Sequence, residues 1–272
     1  MKSLAIIAVA LTGALVVGGC KLTNYKDLDR ALNGYSDANT GLTIGEAGDS
    51  KTYQKGPATL GVGNLRELTI DWLGDSVSVK AYDGNEVQLS ETANIALVDT
   101  TTLHYTLTPE GELKICFCRP GTRIKAKDMP EKHLLVLLPR TLCLDEVEVN
   151  GISQRVAIDE ICCKSLELNG VTDCTMLSRC RMKHLESSSV DGNLEAVFDQ
   201  LPEDIELNNV SGSIVFHIPS DAGMTIEMDG PKTRLHSDLP FRKRGGDWVL
   251  GNGACKVEVS SVGGEIFVKQ NL

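Results

Sequence analysis

The chain has 272 residues, 37 acidic against 27 basic side chains, a formal net charge of −10 and only 4% aromatic residues. That balance repels polyanions and argues against a nucleic-acid partner. So few rings point instead to a core of stacked valine, isoleucine and leucine.

At the N-terminus, Met1 and Lys2 precede an uncharged apolar run from Leu4 to Val17, followed by Gly18, Gly19 and Cys20. The run falls short of the ~18 to 20 residues a spanning helix needs, so residues 1–19 read as an export signal. Two small residues directly before a cysteine resemble a bacterial lipobox. That would make Cys20 the lipidated first residue of the mature chain, held at the cell membrane outside the cytoplasm, although Val17 stands where leucine is more usual. An ordinary cleaved signal or an uncleaved anchor is the alternative. Residues 20–60 are polar and rich in Gly, Asn, Asp, Thr and Lys, a composition expected for a tether whose later part packs as an N-terminal cap.

Residues 61–272 read as a single β domain. Its first coil is expected at Leu68–Val79, with Leu68, Ile70, Leu73, Val77 and Val79 inward. From Tyr82 to Leu138 the alternation loosens into VQLSE, LHYTL, ELKICFC and LLVLL, separated by Asp83-Gly84, Pro109-Glu110-Gly111 and Pro120-Gly121. These spacings predict hairpins or wide coils. The run Leu134–Leu138 is apolar on both faces and is expected to be buried on both.

A repeat then follows: VEVNGISQRVAI from Val147, LELNGVTDCTML from Leu166, LESSSVDGNLEA from Leu185, IELNNVSGSIVF from Ile205 and, after an interruption, VEVSSVGGEIFV from Val257. Ile226-Glu227-Met228 looks like a further coil start. The first four units begin 19 to 20 residues apart, and each holds two short alternating runs around a polar turn. A period near twenty with no helical pattern inside it predicts a single-stranded β-helix or solenoid of about 19–21 residues per coil. Stacked, the sixth position gives a core column of Ile152, Val171, Val190, Val210 and Val262. The tenth gives Val156, Thr175, Leu194, Ile214 and Ile266. The fourth forms a polar ladder of Asn150, Asn169, Ser188, Asn208 and Ser260. Gly151, Gly170, Gly192, Gly212 and Gly264 supply turns that tolerate positive φ. The final coil is expected to close the domain at Leu272.

The spacing of NNVSGSIVFHIP and SSVGGEIFV, with ELTIDWLGDSVSVKAYDGNEVQLSE and KHLLVLLP upstream, resembles the putative adhesin family of bacterial β-strand-repeat surface proteins across residues 35–272. The resemblance implies a β-helix-like surface domain of poorly defined function and carries no catalytic residues. The chain departs from the family's usual pattern in its many cysteines.

Besides Cys20 there are eight cysteines: Cys116, Cys118, Cys143, Cys162, Cys163, Cys174, Cys180 and Cys255. An even number in an exported chain suggests disulfides. Buried thiols in reducing surroundings are the alternative, and the Cys116-x-Cys118 and Cys162-Cys163 pairs are candidates for a soft metal. Cys143 and Cys162 precede Val147 and Leu166 by the same four residues, which sets their Cα atoms about 5 Å apart in adjacent coils, within disulfide range. The second positions align Glu148, Glu167, Glu186, Glu206 and Glu258 into an outward column. Such a column would face a ligand or ion, or work as an acid and base pair, or serve as a solvated wall with Lys164 and Lys183 offsetting repulsion. No zinc knuckle, nucleophile elbow or phosphate loop occurs, and the histidines are scattered. The sequence therefore predicts no catalytic residue, cofactor or metal. It predicts a non-enzymatic, membrane-anchored surface lipoprotein whose solenoid flank serves adhesion, envelope interaction or envelope sensing. Cell-wall polymer, glycan or surface protein are the expected partners. A carbohydrate-active β-helix enzyme using the outward carboxylates is the alternative.

Overall fold

The computed structural model describes residues 16–17, 20–21, 41–44, 52–125, 128–229, 233–261 and 263–271. Ahead of the repeat lie β1 (Val16–Val17), β2 (Cys20–Lys21), β3 (Gly41–Ile44), β4 (Gln54–Lys55), β5 (Ala58–Gly61), β6 (Glu67–Trp72), β7 (Ser76–Tyr82), β8 (Glu86–Ala93), β9 (His104–Leu107), β10 (Glu112–Cys116), β11 (Thr122–Lys125) and β12 (Lys132–Pro139). The repeat supplies β13 (Cys143–Asp159), β14 (Cys162–Ser178), β15 (His184–Asp191), β16 (Asn193–Val197), β17 (Asp204–Ser211) and β18 (Ser213–Ile218). Last come β19 (Met224–Asp229), β20 (Arg234–Ser237), β21 (Arg242–Arg244), β22 (Asp247–Leu250), β23 (Cys255–Ser261) and β24 (Glu265–Gln270).

Each coil contributes one strand, or one half of a long strand, to each of two parallel sheets, and the predicted columns are the pairing register. Val147 stands opposite Leu166, Leu166 opposite Leu185, Leu185 opposite Ile205 and Ile205 opposite Val257. The tenth-position column runs from Val156 to Ile266 in the second sheet, and all five of its members are buried. In the sixth-position column Ile152 is half-buried. The side chains of Val171, Val190 and Val210, and residue Val262, lie outside the described residues. Thr175 and Ser187, the polar exceptions among inward positions, border a cavity of about 20 Å³ together with Val149 and Leu168.

The corner between the sheets explains the glycines. β13 and β14 pass through it unbroken, with Gly151 at φ 138° and Gly170 at φ 145°. A Cβ on Gly151 would lie 1.7 Å from the Trp72 carbonyl oxygen, and one on Gly170 would lie 1.8 Å from that of Gly151. The coils therefore stack backbone on backbone here, and only glycine leaves room. Gly212 repeats the geometry against Gly192, whereas at Gly264, without positive φ, an added Cβ would lie 2.9 Å from the Gly212 carbonyl oxygen.

Stacking order departs from chain order at both ends. The coil at Leu68–Val79 is first in sequence but second in the stack, because β6 pairs with both β10 and β13, and β7 with both β12 and β13. The final coil does not close the domain. β23 lies between β17 and β19, and β24 between β18 and β20, so the coil begun at Ile226 is outermost. Antiparallel strands cover the ends. β9 and β4 extend the first sheet beyond β10, β8 and β5 extend the second beyond β12, and β22 with β21 cover β19. Within β12, Leu134, Val136 and Leu138 are buried but Leu135 and Leu137 only half-buried, so this run is not buried on both faces.

Gly170→Ala forces an alanine into a left-handed conformation and against a carbonyl, the first of which alone costs about 1–3 kcal/mol. Its thermal midpoint, followed by circular dichroism, is expected to fall by several degrees. Gly61→Ala, where φ is not positive and nothing lies within 4 Å of the added Cβ, is expected to move it much less.

Candidate functional site: an acid-lined flank and a buried ion pair

The outer face of the first sheet carries the glutamate column. Glu148, Glu167, Glu186, Glu206 and Glu258 stand opposite one another on successive strands, and Glu227 extends the row beyond Glu258. Two residues earlier on the same face, Glu112, Glu67 and Glu146 align on β10, β6 and β13. Partial burial and then neighbouring carboxylates hold Glu146 and Glu167 above the usual range. The anticipated relief by lysines is not what the structure shows. Lys164 reaches Asp145 at 2.6 Å and Lys183 reaches Glu203 at 2.9 Å. The carboxylates are instead met from their own strands: Ser188 Oγ donates to Glu186 at 3.4 Å and Asn208 Nδ2 to Glu206 at 3.0 Å.

Beside this column the fourth-position ladder continues into a residue that the repeat pattern left out. Asn169 Nδ2 donates to Asn150 Oδ1 at 3.3 Å, and Asn150 Nδ2 donates to Asp71 Oδ1 at 3.2 Å. Asp71 is buried and ion-paired with Lys114 at 3.1 Å. Burial pushes its pKa up to about 6, against the opposing pull of Lys114.

A second buried charge pair closes the N-terminal end of the stack. Lys132 is fully buried, with Nζ 2.5 Å from Glu91 Oε2 and within 5 Å of the centroids of Trp72 and Phe117. It donates to the carbonyls of Thr101 and Phe117. Glu91 Oε1 accepts from the Leu103 amide at 2.7 Å and from the Thr102 hydroxyl. The pair thus ties the segment after β8 to the rest of the cap. In sequence Lys132 is merely the polar start of an apolar run, and nothing there marks it as buried.

The cysteines among the described residues do not gather into a metal centre. Cys143 and Cys162 face each other across β13 and β14 with Cα atoms 4.5 Å apart and are joined as a disulfide. Cys163, next in sequence, points into the core. Burial pushes the thiols of Cys118 and Cys180 up to about 11, and those of Cys163 and Cys255 up to about 12. Such thiols stay protonated and poor in metal affinity at neutral pH. No cluster of three or more potential metal ligands occurs among the described residues. The histidines do not gather, though several stand beside acids: His184 lies 2.6 Å from Asp204, His217 3.0 Å from Glu195 and His133 3.2 Å from Asp75. Cys20 lies in β2, opposite Val17, and its side chain is outside the described residues.

Coils of two short strands, bent at a glycine corner and stacked in parallel register, define a two-sheeted β-solenoid of the adhesin-like β-repeat class. The chain belongs to the Toastrack DUF4097 family, whose model matches residues 65–269. Among solved structures it is similar to a "putative cell adhesion protein" from Clostridium sporogenes, with a TM-score of 0.47 at 10% identity, covering 80% of this chain and 100% of that one. It is also similar to a "putative adhesin" from Bacteroides fragilis, with a TM-score of 0.33 at 10% identity, covering 81% of this chain and 98% of that one. No curated protein matches the chain.

Two outcomes test these buried charges. Because the folded value for Asp71 lies above the unfolded one, the stability it lends is complete below about pH 4 and is lost as the pH rises through about 6. Asp71→Asn keeps an acceptor for Asn150 and removes the ionisation. It is expected to flatten urea midpoints between pH 4 and 7, by up to about 3 kcal/mol. Glu91→Gln leaves the Lys132 ammonium buried without a counter-ion and is expected to cost about 3–5 kcal/mol in urea unfolding. The Glu91→Leu, Lys132→Met pair is expected to recover most of that loss.

Proposed function

We propose that the protein is a non-enzymatic surface lipoprotein, anchored through Cys20, that presents the acid-lined flank of its solenoid for adhesion or envelope interaction. The observation that supports this most is the flank itself. Six glutamates stand in register on six neighbouring strands, on a frame stiffened by two sheets. Aligned like-charged groups on a flat wall suit an extended partner better than a compact one, since a partner that repeats along its own length meets the same group at every strand. The column disfavours anionic wall polymer and fits a neutral glycan or a basic protein surface. The lipid anchor rests on the short apolar run and the Gly-Gly-Cys junction.

Cys20→Ala is expected to shift the chain from the membrane fraction to the soluble fraction or to leave it unprocessed. Retention in the membrane with an unchanged mature mass would sink the lipoprotein reading. Glu167→Gln, Glu186→Gln and Glu206→Gln combined are expected to leave membrane retention intact and to weaken attachment of the cells to the surface or cell they bind. Unchanged attachment would remove the flank from the function.

A further inference from the structure

The end of the solenoid at which the chain enters carries a feature that the flank does not account for. Between β8 and β9 the chain leaves the sheet as Asn94-Ile95-Ala96-Leu97-Val98-Asp99. Ile95 is 54% exposed and Val98 61%, two of four large hydrophobic side chains so exposed among the described residues. The loop is built rather than loose. Val98 N donates to Thr101 Oγ1, the amides of Thr101 and Thr102 donate back to the Val98 carbonyl, and Asn94 and Glu131 exchange hydrogen bonds. Its return limb is held from beneath by the Lys132–Glu91 pair. A loop braced by buried charges and tipped with aliphatic side chains has been given an apolar surface that the fold does not consume.

Its surroundings say what such a surface meets. Cationic residues gather there although the chain as a whole is acidic. Lys55 is paired with Asp99 at 2.9 Å, and the Arg119 amide donates to the Thr100 carbonyl. Arg123 and Lys125 are exposed on β11, whose Thr122 hydroxyl also donates to the Thr100 carbonyl. Acids lie here too: Asp99, neutralised by Lys55, and the exposed Asp128 and Glu131 between β11 and β12. The described parts of the entering chain meet the same place: β3 pairs with β11, and Lys55 of β4 pairs with His104 just past the loop.

We infer that this end is a lipid-facing foot. Ile95 and Val98 insert into the interfacial region of an anionic bilayer, and Lys55, Arg119, Arg123 and Lys125 contact its headgroups, so the solenoid stands with its flank projecting away from the membrane. Exposed aliphatic groups ringed by cations are what an anionic membrane surface retains. This rests on the Cys20 anchor, which supplies the proximity that so small an apolar tip needs.

The test places a tryptophan at the tip. Val98→Trp in the full lipidated chain, reconstituted into vesicles of phosphatidylcholine and phosphatidylglycerol with brominated acyl chains, is expected to show blue-shifted emission and a loss of intensity that the unsubstituted chain lacks. Native Trp72 is buried and Trp248 lies at the opposite end of the stack, so neither obscures the signal. Met176→Trp, on the mid-stack strand β14, is expected to stay unquenched. Replacing Arg119 and Arg123 by Glu in the V98W chain is expected to reduce the quenching, as is omission of phosphatidylglycerol. Water-like, unquenched emission from V98W, or equal quenching from M176W, would overturn the foot. Neither result touches the anchor, which the membrane fractionation of Cys20→Ala judges independently.

Discussion

Everything in this molecule depends on coils meeting backbone to backbone at one corner. The carbonyl of Trp72 sits where a Gly151 side chain would be, and the carbonyl of Gly151 sits where a Gly170 side chain would be. That contact fixes the rotation of three successive coils, and Gly212 against Gly192 does the same for a later pair. Once it is fixed, the strands on either side have no freedom of register, and a slip by one residue would turn every buried aliphatic chain to solvent. The aligned glutamates, the Asp71–Asn150–Asn169 ladder and the opposition of Cys143 to Cys162 are consequences of that one constraint. The cost falls on the outer face, where in-register stacking sets like charges side by side. Ser188 and Asn208 relieve it locally by donating to the glutamates on their own strands.

Much of this was legible in the sequence because repetition itself carries register. The spacing from Val147 to Ile205 placed first and tenth positions into the columns the structure contains. The equal offset of Cys143 and Cys162 set them in neighbouring coils, and the weaker match at Leu68–Val79 was enough to identify a coil. Position within the stack was not legible. A strand such as β6 has two hydrogen-bonding edges, and its residues do not encode which strand takes which edge, so the insertion of the first coil between the second and third leaves no trace in periodicity. The extension of the asparagine ladder to Asp71 was hidden for a related reason. Its partners lie 79 residues away at Asn150 and 43 residues away at Lys114.

The buried charges divide the molecule into regions with different chemistry. In the repeat the core is apolar, aliphatic side chains with Phe198 and Phe216 among them, and apart from Thr175 and Ser187 the polar groups line the wall. In the cap, Lys132 and Glu91 lie inside, bonded to each other and to carbonyls, an amide and a hydroxyl. Such a pair adds little net stability over a hydrophobic substitute but tolerates few alternative arrangements of its neighbours. It stands where periodicity fails and loops must be told where to go. Aliphatic stacking specifies the regular part, and directional polar contacts specify the irregular part.

The displaced coils at the two ends bear on how such a protein lengthens over evolutionary time. A simple repeat array gains units by duplication at a terminus, where a new coil lays itself on the last one. Here neither the first coil nor the last lies at an end of the stack. The first coil is enclosed by β10–β12 and β13, and the last by β17–β18 and β19–β20. A copy of either coil would find both faces of its parent already occupied. Only from β13 to β18 does chain order equal spatial order, so viable duplications and deletions are confined to that interior tract.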